Sequence, residues 1–175
     1  MDIDIQNSSF ASARKKRKVD FSLPNETEMD KLFIATLESG KDNAKKLAAL
    51  YGPIFVTSAP LKITVHGSCL NAGKITASAG ASAYWGPNAR RNKSARVYGS
   101  QTSPRAELLA VILALQSAPT AKSLIIATRS EYAIRSATYY AAKNDACGWR
   151  CANGDLLKVL IALIKIRTAP VHFSH

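Results

Sequence analysis

The segment SLIIATRSEY, residues 123–132, places a charged side chain directly after a buried strand. Residues 124–127 leave no polar face, which predicts a strand that is covered on both sides. Ser130 has the type and position of a helix N-cap, and we expect the helix to begin at Glu131. Open α/β sheets usually place their chemistry just past such a strand. Arg129 occupies that place, and its guanidinium stays protonated at any ordinary pH.

Other reactive side chains do not form a recognisable catalytic or metal-binding pattern. The three histidines have no serine or cysteine partner at a telling spacing, and no phosphate loop or dinucleotide fingerprint is present. The three cysteines make neither a disulfide framework nor a zinc site, so a reducing compartment is expected. No apolar stretch approaches the ~18 residues of a membrane span, so we expect no membrane partner. The acidic N-terminus does not have the pattern of a secretory signal.

Positive charge is concentrated in the later part of the chain. The whole sequence carries 24 basic and 12 acidic side chains, whereas residues 61–175 carry 15 basic and 4 acidic ones, a net charge of +11. Such a field attracts polyanions and makes their binding salt-sensitive. We therefore expect a nucleic-acid partner; the alternative is a basic domain with no specific ligand.

The basic run near the N-terminus predicts nuclear import. Residues 1–25 are polar and serine-rich, and we expect them to be a disordered basic tail. Exposed basic runs act as import signals or as phosphate-binding arms, and KKRKV is similar to the best-known monopartite import signal. The alternative is a solvated charge run. We expect a nuclear protein that contacts an import receptor through Arg14, Lys15, Lys16, Arg17 and Lys18.

Residues 26–60 predict a helix followed by a linker. Asn25 or Thr27 is expected to cap the helix, whose apolar face continues to about Leu50. Gly40 is a candidate interruption, and the Tyr51-Gly52-Pro53 sequence is a helix breaker.

Residues 61–175 predict an α/β domain. The patterns favour three strands, a long helix that starts near Pro104, the strand at residues 124–127, further helices and a last strand. One of those helices is expected to run from Glu131 to about Lys143. Hairpins followed by a crossover predict a mixed sheet with helices on both faces.

From about Leu61 to its C-terminus the chain resembles type 1 ribonuclease H. The matching segments occur in the family's order at family-like distances: HGSCLNAGK, YWGPN, QTSPRAELLAVILAL, SLIIATRSEYAI and CGWRCANG. The resemblance implies an RNase H-like mixed five-stranded sheet of order 3-2-1-4-5, with strand 2 antiparallel to the others. It also implies a groove for an RNA–DNA hybrid.

The family's reaction uses two divalent metals that are held by four carboxylates. The resemblance implies that Glu107 is the one retained catalytic carboxylate, while His66 and Arg129 stand at the first and third positions. The fourth would lie in a helix after the last strand, and the sequence stops at His175, so we expect a fold without that helix. Two-metal hydrolysis is then expected to be lost. We predict no metal site and no cofactor, with Mg²⁺ as a cofactor only where residual ribonuclease activity exists.

The resemblance also implies which residues contact nucleic acid. Tyr140 would be an aromatic platform for the DNA strand and Arg135 would bind near the cut, although Tyr139 and Tyr140 are equally compatible with ordinary packing. The RNA strand would be contacted around the first turn and the start of the first long helix, at Cys69, Asn71, Ala72, Gly73, Thr102 and Ser103.

Three functions are compatible with these patterns. The first is a nucleic-acid-binding domain that holds an RNA–DNA hybrid or a duplex without cutting it. The second is a scaffold of the same fold for a protein partner at the C-terminal side, and the third is residual hybrid ribonuclease. We also expect Arg129 to form an ion pair with Glu107, with His66 beside them; the alternative is that Arg129 points to solvent and joins the phosphate-binding field.

Overall fold

The computed structural model describes residues 3–4, 28–55 and 58–175. The basic residues 14–18, which are predicted to act as an import signal, lie outside these ranges, as does most of the predicted tail. The described strands are β1 (Ile3–Asp4), β2 (Leu61–Leu70), β3 (Ser78–Tyr84), β4 (Lys93–Arg96), β5 (Leu124–Ala127) and β6 (Val171–Ser174). The described helices are α1 (Glu28–Tyr51), α2 (Ser103–Ser117), α3 (Glu131–Ala137), α4 (Ala141–Ala146) and α5 (Gly154–Lys165).

Five strands of the C-terminal part form one mixed sheet in the order β4-β3-β2-β5-β6. Strand β3 runs antiparallel to β2 and to β4, while β2, β5 and β6 are parallel to one another. Numbered from β2, this is the predicted order 3-2-1-4-5 with the second strand reversed, so that prediction is confirmed. The two residues of β1 add an antiparallel pairing at the outer edge of β6, which the sequence patterns did not predict.

The two faces of the sheet have different surroundings. Along β2 and β3 buried and exposed residues alternate, as period-two side-chain geometry requires. The buried face packs on α2, whose own buried residues cover most of its circumference because α5 and α3 lie against its other side. Helices on both faces were expected. In the described residues the helices share one core on one face, and β2 and β3 leave the other face open.

Helix α1 packs against this core although it precedes the domain. Leu50 and Tyr51 are buried at its end, and the Tyr51 hydroxyl donates a hydrogen bond to the Ala137 carbonyl. Burial of that hydroxyl raises the pKa of Tyr51. The helix ends at Tyr51, one residue after the predicted Leu50, and Gly40 does not interrupt it.

The predicted helix from Glu131 to Lys143 is two helices. The α3 segment ends at Ala137, and Thr138 is its C-cap: the backbone nitrogen and the hydroxyl of Thr138 both donate to the Ile134 carbonyl. The backbone turns there, and α4 begins at Ala141. None of the described helices combines the length and apolarity that a membrane crossing needs.

Candidate functional site at the carboxyl edge of the sheet

A glycine brings the end of β2 against the first turns of α2. A Cβ atom at Gly67 would lie 2.2 Å from the Glu107 backbone nitrogen and 2.3 Å from the Ala106 carbonyl carbon. No side chain other than hydrogen fits that space. This close backbone contact places Glu107 beside the His66-Gly67-Ser68 segment, as the sequence resemblance implied.

The sheet register brings His66 and Arg129 to the same edge. Thr64 of β2 pairs with Ala127 of the parallel strand β5. His66 and Arg129 each lie two residues farther along, and both side chains are exposed. Since the carboxyl ends of parallel neighbours meet at one edge, these two residues are neighbours there. We call His66, Glu107, Arg129 and Ser130 the carboxyl-edge cluster.

Glu107 is hydrogen-bonded to a hydroxyl and not to a guanidinium. The Ser130 hydroxyl donates to the Glu107 carboxylate at 2.5 Å and accepts from the Ala133 backbone nitrogen at 3.1 Å as the N-cap of α3. The predicted ion pair between Arg129 and Glu107 is not formed, so that prediction is wrong. Ser130 is buried and already oriented by its capping role, and it therefore reaches the carboxylate while Arg129 extends toward water.

The donor set of the carboxyl-edge cluster does not fit a two-metal site. Mg²⁺ requires several oxygen ligands at short distances, and the cluster offers one carboxylate that is already engaged by Ser130. Within residues 3–4, 28–55 and 58–175, no group of three or more His, Cys, Asp and Glu side chains could hold a metal. The fixed charge of Arg129 would also oppose a divalent cation beside it.

The first turn and the start of α2 form one surface. The Cys69 thiol lies 3.2 Å from the Gln101 carbonyl, which ties the end of β2 to the residue before the α2 N-cap. Thr102 is that N-cap, although its side chain makes no capping bond, and Ser103 is the first helical residue. The turn after β2 is exposed and contains Asn71, Ala72 and Gly73. Asn71 and Gly73 have positive φ angles, a conformation that asparagine and glycine adopt more easily than other residues.

Gln101 organises this surface, and the sequence patterns did not single it out. Its side-chain oxygen accepts from the Ala79 backbone nitrogen at 2.9 Å, while its amide nitrogen donates to the carbonyls of Val97 and Gly99. The three bonds hold β3 and the loop after β4 against the start of α2. The distance in sequence between Ala79 and Gln101 left no local signal for this role.

A second residue that the sequence reasoning missed is Arg105. Its side chain is only 10% exposed, and it forms a bidentate ion pair with Asp155 at the start of α5. Its Nε donates to the Tyr98 carbonyl at 2.8 Å. The guanidinium of Arg105 holds the pKa of Asp155 below its usual value. The pair joins α2, α5 and the loop after β4; we call it the Arg105 anchor.

The other two predicted contact residues lie on α3 and just before α4. Arg135 is ion-paired with Glu131 one turn earlier at 2.5 Å, so its charge is partly neutralised. Tyr140 is 40% exposed, and its ring packs edge-to-face on Tyr139 with 4.9 Å between centroids. Both tyrosines line a cleft of about 870 Å³ between α4 and α1.

Curated proteins are similar in sequence to about half of this chain. Ribonuclease H1 of Mus musculus is 33% identical over 94 residues, which is 53% of this chain and 33% of that protein. Ribonuclease H of Schizosaccharomyces pombe is 38% identical over 99 residues, 56% of this chain and 37% of that protein. The chain thus spans about a third of the length of the curated relatives it matches.

A solved structure and a family model extend the comparison to most of the domain. The structure of the foamy viral protease-reverse transcriptase in complex with dsDNA matches with a TM-score of 0.52 at 17% identity, over 67% of this chain and 86% of that one. That likeness concerns the fold alone. The model of the RNase H family matches residues 59–175. Since this match covers well over half of the sequence, the chain belongs to the RNase H family.

Proposed function

We propose that this protein is a nucleic-acid-binding RNase H domain that holds an RNA–DNA hybrid or a duplex without cleaving it. The carboxyl-edge cluster carries this proposal. It combines an exposed histidine, an exposed arginine and a single carboxylate that is hydrogen-bonded to Ser130. This arrangement can attract a phosphate, and it lacks the oxygen ligands that would bring two metal ions to it.

Loss of hydrolysis follows from the chemistry of the cluster. Two-metal hydrolysis needs one cation to generate the attacking hydroxide and another to stabilise the leaving oxygen. His66 could bind a transition metal, but one imidazole and one carboxylate make a poor magnesium site. Arg129 cannot be a ligand at all. Glu107 has a structural partner in Ser130, and we assign it no catalytic proton transfer.

Binding is supported by charge and by the preserved surface near the cluster. Residues 61–175 carry a net charge of +11, and nucleic-acid affinity rises with the number of phosphates that a protein neutralises. The turn after β2 and the start of α2, which carries Thr102 and Ser103, form one surface beside the cluster. Backbone groups and small polar side chains there suit contacts with ribose and phosphate.

The protein-scaffold alternative has weaker support in the exposed surface. Docking of a protein partner favours a contiguous exposed apolar patch. On the open face of β2 the outward residues are mostly polar, with Leu70 as the apolar exception at 71% exposure. Residual ribonuclease activity, the third function, would have to come from a site in which Glu107 is the single carboxylate of the carboxyl-edge cluster.

A binding titration with a parallel cleavage assay tests the proposal. The purified protein should bind an RNA–DNA hybrid, more weakly at high salt than at low salt. It should not cleave the hybrid in magnesium or manganese, and magnesium should not raise its melting temperature. Cleavage that disappears in Glu107→Gln would show that the residual-ribonuclease alternative is right. Absence of hybrid and duplex binding at low salt would contradict the binding function itself.

We propose separately that residues 14–18 direct nuclear import by binding an import receptor. The support is the sequence alone: five adjacent bases in a polar segment, which lie outside the described residues. Changing Lys15, Lys16 and Arg17 to alanine in a reporter fusion too large to diffuse through nuclear pores should leave the fusion in the cytoplasm. Unchanged nuclear accumulation would reject the proposal.

A further inference from the structure

The open face of the sheet forms a shallow groove beside the carboxyl-edge cluster. Its volume is about 580 Å³, and it lies across β2, β3 and β4. Most of the lining side chains are small or bear a hydroxyl, and a basic residue stands at its outer strand. The residues that matter for the argument are His66, Ser68, Gly80, Ser82, Ser94 and Arg96.

The register arranges these residues in two rows across the strands. His66 pairs with Ser82, and Ser82 pairs with Ser94, so one imidazole and two hydroxyls lie side by side. In the next row, Gly80 stands between Ser68 and Arg96. Paired residues of adjacent strands point to the same face. The β2–β5 register ends at Thr64 and Ala127; extended by two residues, it puts Arg129 next to His66, at the edge where β5 ends.

No carboxylate of the domain opposes this row of donors. All four acidic side chains of residues 61–175 are on helices, and each accepts a hydrogen bond or ion pair there. Glu107 is bonded to Ser130, Glu131 to Arg135, Asp145 to Trp149 and Asp155 to Arg105. Arg129 and Arg96 are exposed, and neither forms an ion pair with a described residue. Their charges are therefore available to an anion from outside the domain.

We propose that this open face binds the phosphate backbone of one nucleic-acid strand directly, with Arg129 and Arg96 at its two ends and no metal between them. The inference rests on the proposed nucleic-acid binding and adds the surface that performs it. The planar guanidinium of arginine has parallel N–H donors that match the geometry of phosphate oxygens, and it supplies the positive charge that a metal ion would otherwise supply. The His66 imidazole and the Ser94 hydroxyl add hydrogen-bonding groups between the two arginines, whereas the Ser82 hydroxyl already donates to the His66 carbonyl at 3.3 Å.

The dimensions of the face suit a short run of phosphates. Strands in a sheet are spaced about 4.8 Å apart, so the three spacings from β5 to β4 span roughly 14 Å. One strand of a duplex carries a phosphate for about every 3.4 Å of its axis, and successive phosphates are farther apart than this because the strand winds around the axis, so the distance fits fewer than about four phosphates. Gly80 has no side chain, so the middle of the groove is open. The space above it is also free: a Cβ atom there would have only the Ala95 carbonyl oxygen within 4 Å, at 3.8 Å.

Single substitutions at the two ends test the surface. We would measure affinity over a salt series for an RNA–DNA hybrid and for single-stranded DNA, with Arg129→Gln, Arg96→Gln and Lys158→Gln. Lys158 is the matched control, because it is an exposed cation on α5, which packs on α2 and not on the sheet. Each arginine variant should weaken binding roughly fivefold or more and lower the salt slope by about 1. Arg129→Lys should restore the slope, because it restores the charge.

The outcomes separate this surface from the broader function. If the natural protein binds hybrid and the arginine variants bind as well as Lys158→Gln, the proposed function stands, but the assignment of binding to the open face is wrong. If only single-stranded DNA binds, and binding depends on Arg129 and Arg96, the surface stands and the hybrid or duplex function is wrong. If the natural protein binds neither probe at low salt, both are wrong. Magnesium should weaken binding by competing for phosphate; a magnesium requirement would contradict direct contact.

Discussion

The carboxyl-edge cluster and the Arg105 anchor both contain an arginine near a carboxylate, yet they are built in different ways. Arg105 is buried, and its guanidinium is shared between Asp155 and the Tyr98 carbonyl. Arg129 is exposed, and Glu107, the carboxylate expected to pair with it, is hydrogen-bonded to Ser130. The first arrangement uses side chains to join elements. In the carboxyl-edge cluster, β2 and α2 are joined by the close backbone contact at Gly67, and the charge of Arg129 is exposed to solvent.

The difference shows how residue type alone is a poor guide to role. A buried arginine needs partners for its donors, because unpaired buried charge is costly, and Arg105 has them. An arginine at the rim of a sheet has water as a partner and therefore remains available for a ligand. We expect substitutions at the Arg105 anchor to change stability and substitutions at Arg129 to change binding, as the following predictions specify.

The largest effect is expected for Gly67→Ala. A methyl group at this position would overlap the backbone of Ala106 and Glu107, and backbone atoms cannot rotate away as a side chain can. We expect the free energy of unfolding, measured by urea titration, to fall by about 3 kcal/mol or more. Gly80→Ala is the matched control, since its new methyl group would meet its nearest neighbour at 3.8 Å. Equal stability of the two variants would contradict the close contact between β2 and α2.

The next effect is expected at the Arg105 anchor. Arg105→Met keeps much of the side-chain volume but removes the charged bonds to Asp155 and the bond to the Tyr98 carbonyl. The free energy of unfolding should fall by roughly 2–3 kcal/mol, as for loss of hydrogen bonds to charged groups. Arg129→Met should change it by no more than about 0.5 kcal/mol, as for an exposed position. A larger loss for Arg129→Met than for Arg105→Met would reverse the assignment of roles.

Ser130→Ala should cost about 1–2 kcal/mol, because it removes the N-cap of α3 and the hydroxyl that binds Glu107. It also frees the Glu107 carboxylate, which allows a direct test of its coupling to Arg129. We expect the effects of Ser130→Ala and Arg129→Met on unfolding to add within about 0.5 kcal/mol. A coupling clearly above that value would show that Arg129 pairs with Glu107 once the serine is gone.

The smallest effect is the pH dependence of the Arg105 anchor. The pKa of Asp155 is lower in the folded protein than in the unfolded chain, so the carboxylate stabilises the fold above its unfolded pKa, which is roughly 3.9. That contribution is lost as the pH falls through the lower folded value. Because 60% of the Asp155 side chain is exposed, the contribution should be at most about 1 kcal/mol. Asp155→Asn should flatten the stability profile in this acidic range by that amount; an identical profile in the variant would exclude the effect.

Local pattern predicted much of the fold. Periodicity and capping residues indicated the long helix α2, the buried strand at residues 124–127 and the helix that ends near Leu50, and the family resemblance supplied the strand order. The break between α3 and α4 was missed because the segment has helical composition throughout. At the break, the Thr138 hydroxyl donates to the Ile134 carbonyl, and the Tyr51 hydroxyl of α1 donates to the Ala137 carbonyl, a contact between residues far apart in the sequence.

The candidate site was predicted in its members and not in its contacts. The sequence by itself predicted that His66, Glu107 and Arg129 would lie at one edge of the sheet, because the segments that contain them match a recognisable family in its order. Only the tertiary structure decided that Ser130 binds Glu107, that Arg105 pairs with Asp155, and that Arg96 lines an open groove across β2, β3 and β4. The reason is physical. Patterns of apolar residues set which elements form and which faces are buried, whereas the choice among competing hydrogen-bond partners depends on ångström-scale distances between residues far apart in the chain.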